Sequence, residues 1–208
     1  CGRELSLGER IAQRVQWQEF VGIKNSDDCV LRKASALARV LVSEQAVWDL
    51  ESLQSSGVSF GIRISKTDRR WWNVYYDFLL YHMHIADREA LEFLGERRGI
   101  FMDRLCGEVA EYCAMDFGDD KQATQFKAKF LENFNLFQNE FARYKREGVG
   151  PLDEQLQFRF GKRIASRLDC GSDVRLILFV VPGLAGGEIP LNIPGLLTGK
   201  SRTKGKGL

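Results

Sequence analysis

The two histidines of the chain come closest to a reactive site in their residue types and spacing. His82 and His84 lie among aromatic and charged side chains in the segment "YYDFLLYHMHIADRE" at 75–89. A histidine beside a carboxylate can act as a general acid or base, and two histidines on one face can bind a metal ion. Residues two positions apart on a helix point about 200° apart, so these two side chains cannot share a metal while the segment is helical.

A polar stripe remains when this segment is drawn as a helix. Its members are three or four positions apart: Asp77, Tyr81, His84, Arg88 and Glu92. Two interpretations are open. Asp77, Tyr81, His84 and Arg88 can anchor a small-molecule or acid–base site, or the stripe can be a salt-bridged seam inside the protein. We favour the seam, because the rest of the helix is apolar enough to be central and buried polar groups must then be paired internally.

Neither a metal site nor a cofactor is predicted. The His-Glu-x-x-His motif of zinc proteases is absent, and Leu79 and Tyr81 stand where di-iron bundles place the glutamates that precede their histidines. The Gly-x-Ser-x-Gly motif of serine nucleophiles is also absent. The sequence therefore favours a protein that is not an enzyme, and it assigns no catalytic residue.

The cysteine content indicates the redox environment of the protein. Five cysteines, an odd number without a Cys-x-x-Cys pair, are typical of a reducing environment, so we expect a cytoplasmic protein. Cys106 and Cys113 are seven residues apart and share one helical face, as small core residues do. The first residue is Cys1, as in a mature lipoprotein, and a lipid anchor on Cys1 is the alternative localisation.

Helical periodicity dominates the chain. The apolar spacing predicts helices at about 3–23, 29–54, 69–94, 96–115, 121–146 and 152–168. Residues 58–64 alternate as a short strand or an irregular loop does. The apolar run at 174–181 is a last helix or a buried strand; as a strand it would pair with 58–64 in a β-ribbon. We favour a helix there, since the rest of the chain is helical.

The fold class that follows is all-α. We expect a single domain at 1–182, a bundle of six to seven mostly antiparallel helices. Residues 183–208 are rich in glycine and proline and end in a basic run, and we expect this tail to be disordered.

Two helical faces are candidate surfaces. Aromatic residues follow three-and-four spacing along one helix, a pattern typical of a core face but also able to line an apolar pocket: Phe126, Phe130, Phe134, Phe137, Phe141 and Tyr144. The helix at 152–168 carries Arg159, Lys162 and Arg163 opposite its apolar side, with Arg167 nearby. Such a face is usually solvated, but it is also a possible contact for a protein partner or acidic lipid.

Composition narrows the function further. The net charge is only +2, from 30 basic and 28 acidic residues, which argues against a dedicated nucleic-acid-binding protein. No apolar run is long enough for a transmembrane helix. We expect an interaction module or scaffold whose basic sixth helix and tail contact a protein partner. The alternatives are a ligand site on the polar stripe and peripheral membrane attachment through Cys1 or 174–181. The sequence predicts no oligomeric state.

Overall fold

The computed structural model describes most of the chain as a set of packed helices. The described residues are 27–57, 65–115, 117–144, 151–171 and 173–181. They are predominantly helical, so the all-α prediction is confirmed at that level. The predicted helix at 3–23, the candidate strand at 58–64, the tail at 183–208 and Cys1 lie outside the described residues.

Six α-helices are named here in chain order within that part of the chain. They are α1 (Asp27–Val40), α2 (Ala46–Gly57), α3 (Arg69–Leu94), α4 (Arg98–Ala114), α5 (Asp120–Phe141) and α6 (Leu156–Arg167). A π-helical turn at Leu41–Gln45 joins α1 to α2, so the segment predicted as one helix at 29–54 contains a local widening. Short 3₁₀ turns at Gly95–Arg97 and Leu152–Glu154 precede α4 and α6.

Local sequence accounts for several helix ends. Asp68 caps α3, because its carboxylate accepts a hydrogen bond from the Arg70 backbone N–H at 2.8 Å. Asp119 caps α5 in the same way through the Lys121 N–H. Gly95 follows α3 with φ of 56°, a left-handed conformation that glycine adopts without steric cost.

The predicted C-terminal end of the helix at 121–146 is wrong, because α5 ends at Phe141. The guanidinium group of Arg88 donates hydrogen bonds to the carbonyl oxygens of Phe141, Ala142 and Tyr144, at 3.2, 3.0 and 2.7 Å. These are carbonyls that a continuing helix would use for its own N–H groups. A side chain from another helix thus satisfies the end of α5, and the aromatic periodicity cannot reveal that.

Helix α3 lies at the centre of the bundle. It contacts α2, α4, α5 and α6, and α1 packs mainly against α4. The order of its contacts sets the helix directions: Tyr76 meets Phe126 and His84 meets Gln138 farther along, so α3 and α5 run parallel. Helix α6 is antiparallel to α3, since Tyr81 stacks on Phe160 while Asp77, one turn earlier, meets residues nearer the end of α6.

The run at 174–181 is helical, as the sequence favours, with a π-helical turn at Leu176–Val180. Leu176, Ile177 and Val181 are buried in the core. The segment packs against α6 at a very short distance, because a Cβ atom built on Gly161 would lie 2.5 Å from the carbonyl oxygen of Ile177. Glycine at position 161 is therefore what allows this last helical segment to dock.

We predict that Gly161→Ala destabilises the protein by roughly 1–3 kcal/mol, because the methyl group meets backbone rather than a side chain that can rotate away. Gly107 is the matched control: it lies within α4, and nothing among the described residues comes within 4 Å of a Cβ built there. Gly107→Ala should leave stability unchanged or raise it by up to about 1 kcal/mol, through helix propensity. Chemical denaturation measures both; equal effects would contradict the close packing of 174–181 on α6.

Candidate functional site

Members of the predicted polar stripe of α3 contact different helices. Asp77 is 2% exposed and binds two arginines of α6. Arg163 Nε lies 2.8 Å from Asp77 Oδ1, and Arg167 Nε lies 2.9 Å from Asp77 Oδ2. Arg163 also pairs with Glu140 of α5 at 2.8 Å. The carboxylate of Asp77 thereby links α3 to α6, and Arg163 extends the link to α5.

Tyr81 and His84 lie in the interior rather than on a surface. The ring of Tyr81 is fully buried and stacks on Phe160 with centroids 4.3 Å apart. His84 is 2% exposed, and its Nδ1 is hydrogen-bonded to Oε1 of Gln138 on α5. Arg88 is half-buried at the end of α5. These contacts are with Phe160, Gln138 and the end of α5, whereas Asp77 binds the two arginines of α6.

Hydrogen bonds around Gln138 define the protonation state of His84. Asp87 accepts two hydrogen bonds from the guanidinium of Arg98, both at 2.7 Å, and a third from Nε2 of Gln138 at 3.0 Å. Because Nε2 of Gln138 donates to Asp87, its Oε1 must accept, so His84 donates from Nδ1–H. The other nitrogen, Nε2 of His84, has no hydrogen-bond partner among the described residues. A second proton there would be buried without an acceptor.

Burial lowers the pKa of His84, and the nearby charge of Arg88 lowers it further, against the opposing effects of the Gln138 hydrogen bond and the Asp87 carboxylate. The folded protein therefore resists protonation of His84, whereas the unfolded chain takes up the proton near the ordinary histidine pKa. Stability is complete above that value and falls as the pH drops below it. This geometry is that of a neutral, structural histidine.

We predict that acidification from about pH 7.5 to about pH 5.5 lowers the free energy of unfolding, with a His84 contribution of up to about 1.4 kcal/mol per pH unit, the limit for one proton. His84→Gln removes the titrating group and should make this pH dependence shallower than in the wild type. Urea denaturation of both proteins across the pH range gives the comparison. Identical slopes in the two proteins would contradict a buried neutral His84.

The second histidine belongs to a separate buried cluster. His82 Nε2 donates to Asp49 Oδ2 at 2.6 Å, and Asp49 Oδ1 accepts from Nε2 of Gln45 at 3.0 Å. All three side chains are buried between α2 and α3. An aspartate–histidine pair can orient an imidazole for proton transfer, but here both groups are enclosed and the carboxylate already joins two helices. The arrangement cross-links α2 to α3.

The side chains on the basic face of α6 have different partners. The guanidinium of Arg159 lies over the ring of Tyr144 at 5.3 Å, and the ammonium of Lys162 lies over Phe158 at 4.9 Å. Arg163 lies over Phe137 at 5.1 Å while it binds Asp77. Of the three predicted partner-binding residues, Arg163 is joined to the α3 stripe through Asp77. Arg167, which the sequence places nearby, completes that pairing.

A groove of about 330 Å³ lies where α3, α5 and α6 meet. Its lining combines aromatic and aliphatic side chains with polar and charged groups from all three helices. The lining residues are Asn73, Tyr76, Asp77 and Leu80 of α3, Phe126, Lys129, Phe130, Asn133, Leu136, Phe137 and Glu140 of α5, and Arg163 and Arg167 of α6. The aromatic face of α5 is thus both core and groove wall, so two uses that the sequence presents as alternatives are combined.

Several residues of these clusters are not evident from the sequence. Asp49 and Gln45 are four residues apart on one helical face, which is the only local signal that they act together. Gln138 lies more than 50 residues along the chain from the α3 groups it binds, and Arg98 belongs to the next helix, 11 residues after Asp87. Their partners depend on which helices become neighbours, and periodicity alone does not reveal that.

Comparison of the chain with protein-family models, curated proteins and solved structures found no match. The site is therefore interpreted from its own chemistry. Among the described residues, no three or more histidine, cysteine, aspartate or glutamate side chains gather as metal ligands. A search of the same residues finds no helix with the length and apolar character needed to cross a membrane.

We predict that Asp77→Asn lowers the free energy of unfolding by roughly 1–3 kcal/mol, because two arginines lose their shared charged acceptor. Glu132→Gln is the control: its ion pair with Lys129 lies on the surface of α5 and should contribute less than about 1 kcal/mol. Thermal or chemical denaturation distinguishes the two. An Asp77→Asn effect as small as that of Glu132→Gln would contradict the structural role of the Asp77 pair.

Proposed function

We propose that this protein is a non-enzymatic interaction module that binds a protein partner in the groove between α3, α5 and α6. The proposal is based on this groove. It is concave, and aromatic and aliphatic side chains line it together with charged groups from three different helices. It also joins the two surfaces that the sequence singles out, because Asp77 from the polar stripe and Arg163 from the basic helix are paired inside it.

The rest of the polar interior supports a scaffold rather than a reaction centre. Asp49 binds His82, Asp87 binds Arg98 and Gln138, and each pair joins two helices away from the groove. A charged group already matched by an internal partner contributes to the positions of helices. The same groups would need to be free and accessible to act on a substrate.

A small molecule is the second candidate for the groove. Its volume of about 330 Å³ falls at the lower end of the usual range for ligand pockets. Asp77 lines the groove, whereas Tyr81, His84 and Arg88 of the stripe do not. A ligand would therefore contact Asp77 together with Arg163 and Arg167, and not the four-residue anchor that the sequence suggests.

Contributions of Cys1 and of the tail at 183–208 to partner or membrane binding stay predictions, because these residues lie outside the described part of the chain. The apolar run at 174–181 is less suited to membrane attachment than its sequence suggests. Leu176, Ile177 and Val181 are buried against the bundle, so the run would have to leave the core first.

The test is an unbiased selection of binding peptides from a displayed random library on the full chain. Leu136 is 57% exposed at the groove, whereas Leu131, 37% exposed, lies on the same helix outside it. We expect the selected peptides to lose roughly tenfold in affinity for Leu136→Asp, through burial of an unpaired charge, and to be unaffected by Leu131→Asp. Circular dichroism establishes that both variants are folded.

The selection has a clear contrary outcome. Peptides that bind wild type, Leu136→Asp and Leu131→Asp with equal affinity would show that the recognition surface lies elsewhere. A selection that enriches no peptide would count against a protein-binding groove, and stabilisation of the protein by small amphiphiles at the groove would then favour the second candidate.

A further inference from the structure

The groove extends farther along α5 than along α3. Its α5 wall extends from Phe126 to Glu140, and at 1.5 Å per residue this is roughly 21 Å, about four helical turns. The α3 wall covers Asn73 to Leu80, and α6 closes the opposite side with Arg163 and Arg167. The α5 wall is as long as a helix of about 14 residues, so an added helix of that length can lie along it.

Apolar side chains occur along the whole length of the α5 wall. Phe126 and Phe130 lie at one end beside Tyr76, and Leu136 is exposed farther along. An amphipathic helix places apolar residues at three-and-four spacing, so successive turns can contact successive parts of this wall. An exposed leucine at such a site gains favourable free energy when an apolar surface covers it.

The charged side chains of the groove indicate which ligand charge it favours. Three cationic side chains, Lys129, Arg163 and Arg167, line it together with two carboxylates, Asp77 and Glu140. Arg163 is committed to both carboxylates, while the guanidinium of Arg167 uses Nε for Asp77. The Arg167 side chain is 43% exposed, and among the described residues its terminal NH groups donate no hydrogen bond. These donors are oriented by Asp77 and open to a further acceptor.

We propose that the occupant of the groove is an amphipathic helix of a partner protein that carries an acidic side chain next to its apolar face. The inference rests on the proposed function and specifies its ligand. The apolar face covers Leu136 and the aromatic wall, and the carboxylate accepts hydrogen bonds from the terminal NH groups of Arg167. Arg167 can bind a carboxylate with two parallel hydrogen bonds, a geometry that lysine does not offer.

The test uses three synthetic helical peptides of about 16 residues that share one leucine face and differ beside it. One carries glutamates at the flanking positions, one glutamines and one lysines. We expect the glutamate peptide to bind the full chain roughly tenfold more tightly than the lysine peptide, measured by fluorescence anisotropy. This preference should shrink as NaCl is raised from about 0.05 M to about 0.5 M, because salt screens the exposed charge of Arg167.

Two matched protein variants locate the charge effect. Arg167→Gln should reduce the affinity for the glutamate peptide by roughly three- to tenfold and leave the glutamine peptide unaffected. Lys162→Gln removes the same charge from the same helix outside the groove, and it should not change the affinity for either peptide. Asp77 keeps Arg163 as a partner in Arg167→Gln, and denaturation curves show whether each variant is folded.

The outcomes separate this inference from the proposed function. Equal binding of the glutamate, glutamine and lysine peptides, with all three lost in Leu136→Asp, would overturn the acidic preference and leave the groove as an interaction site. Binding of none of them, together with groove-dependent peptides of another kind from the display selection, would overturn the helical occupant alone. Display selection without any groove-dependent peptide would overturn both.

Other occupants are tested by photocrosslinking from a reactive amino acid introduced in place of Asn133, which lines the groove. Crosslinks to the added glutamate peptide support the inference. Crosslinks that instead join position 133 to residues 1–26 or 183–208 of the same chain would show that the chain fills its own groove. Crosslinked dimers of the protein would show that a second copy does so. Either result would overturn a partner helix as the occupant.

Discussion

Helix α3 has buried polar groups on several sides, and each of them must be paired because an unpaired buried charge or amide is costly. The partners come from different helices. Asp77 binds α6, His82 binds α2, His84 binds α5, and Asp87 binds both α4 and α5. Apolar contacts alone would permit α3 to rotate or slide, whereas these pairs define its register against four neighbours. The arrangement of the bundle depends on them.

The same pairing produces the groove. Asp77 brings two arginines of α6 to α3, and Arg163 then reaches Glu140 of α5. Three helices meet around these charges without filling the space beside them, and the aromatic face of α5 forms the wall. The groups that stabilise the bundle therefore also position the exposed guanidinium of Arg167. Under the proposed function, one ion-pair cluster serves both structure and recognition, so a variant of Asp77 would affect both.

The sequence predicts much of the local structure of the described residues. Asp68, Asp119 and Gly95 are conventional start and stop signals, and α3 and α4 lie close to the predicted ranges. The predicted end of α5, by contrast, is wrong. Tyr144 continues the aromatic spacing and is buried, yet the helix stops at Phe141, where Arg88, 53 positions earlier, binds carbonyl groups at and just beyond the helix end. A contact across so many residues leaves no trace in local periodicity.

For the candidate site, too, the sequence predicts part of the arrangement and the tertiary structure decides the rest. Spacing alone shows that His82 and His84 cannot act as a pair, and that Asp77, Tyr81, His84 and Arg88 share a polar stripe on a mainly apolar helix, since these are consequences of 3.6 residues per turn. The tertiary structure alone decides that Asp77 meets Arg163 and Arg167, that His84 meets Gln138, and that Asp77 lines the groove between α3, α5 and α6. A helix determines which side chains face together. Its neighbours determine what each of them faces.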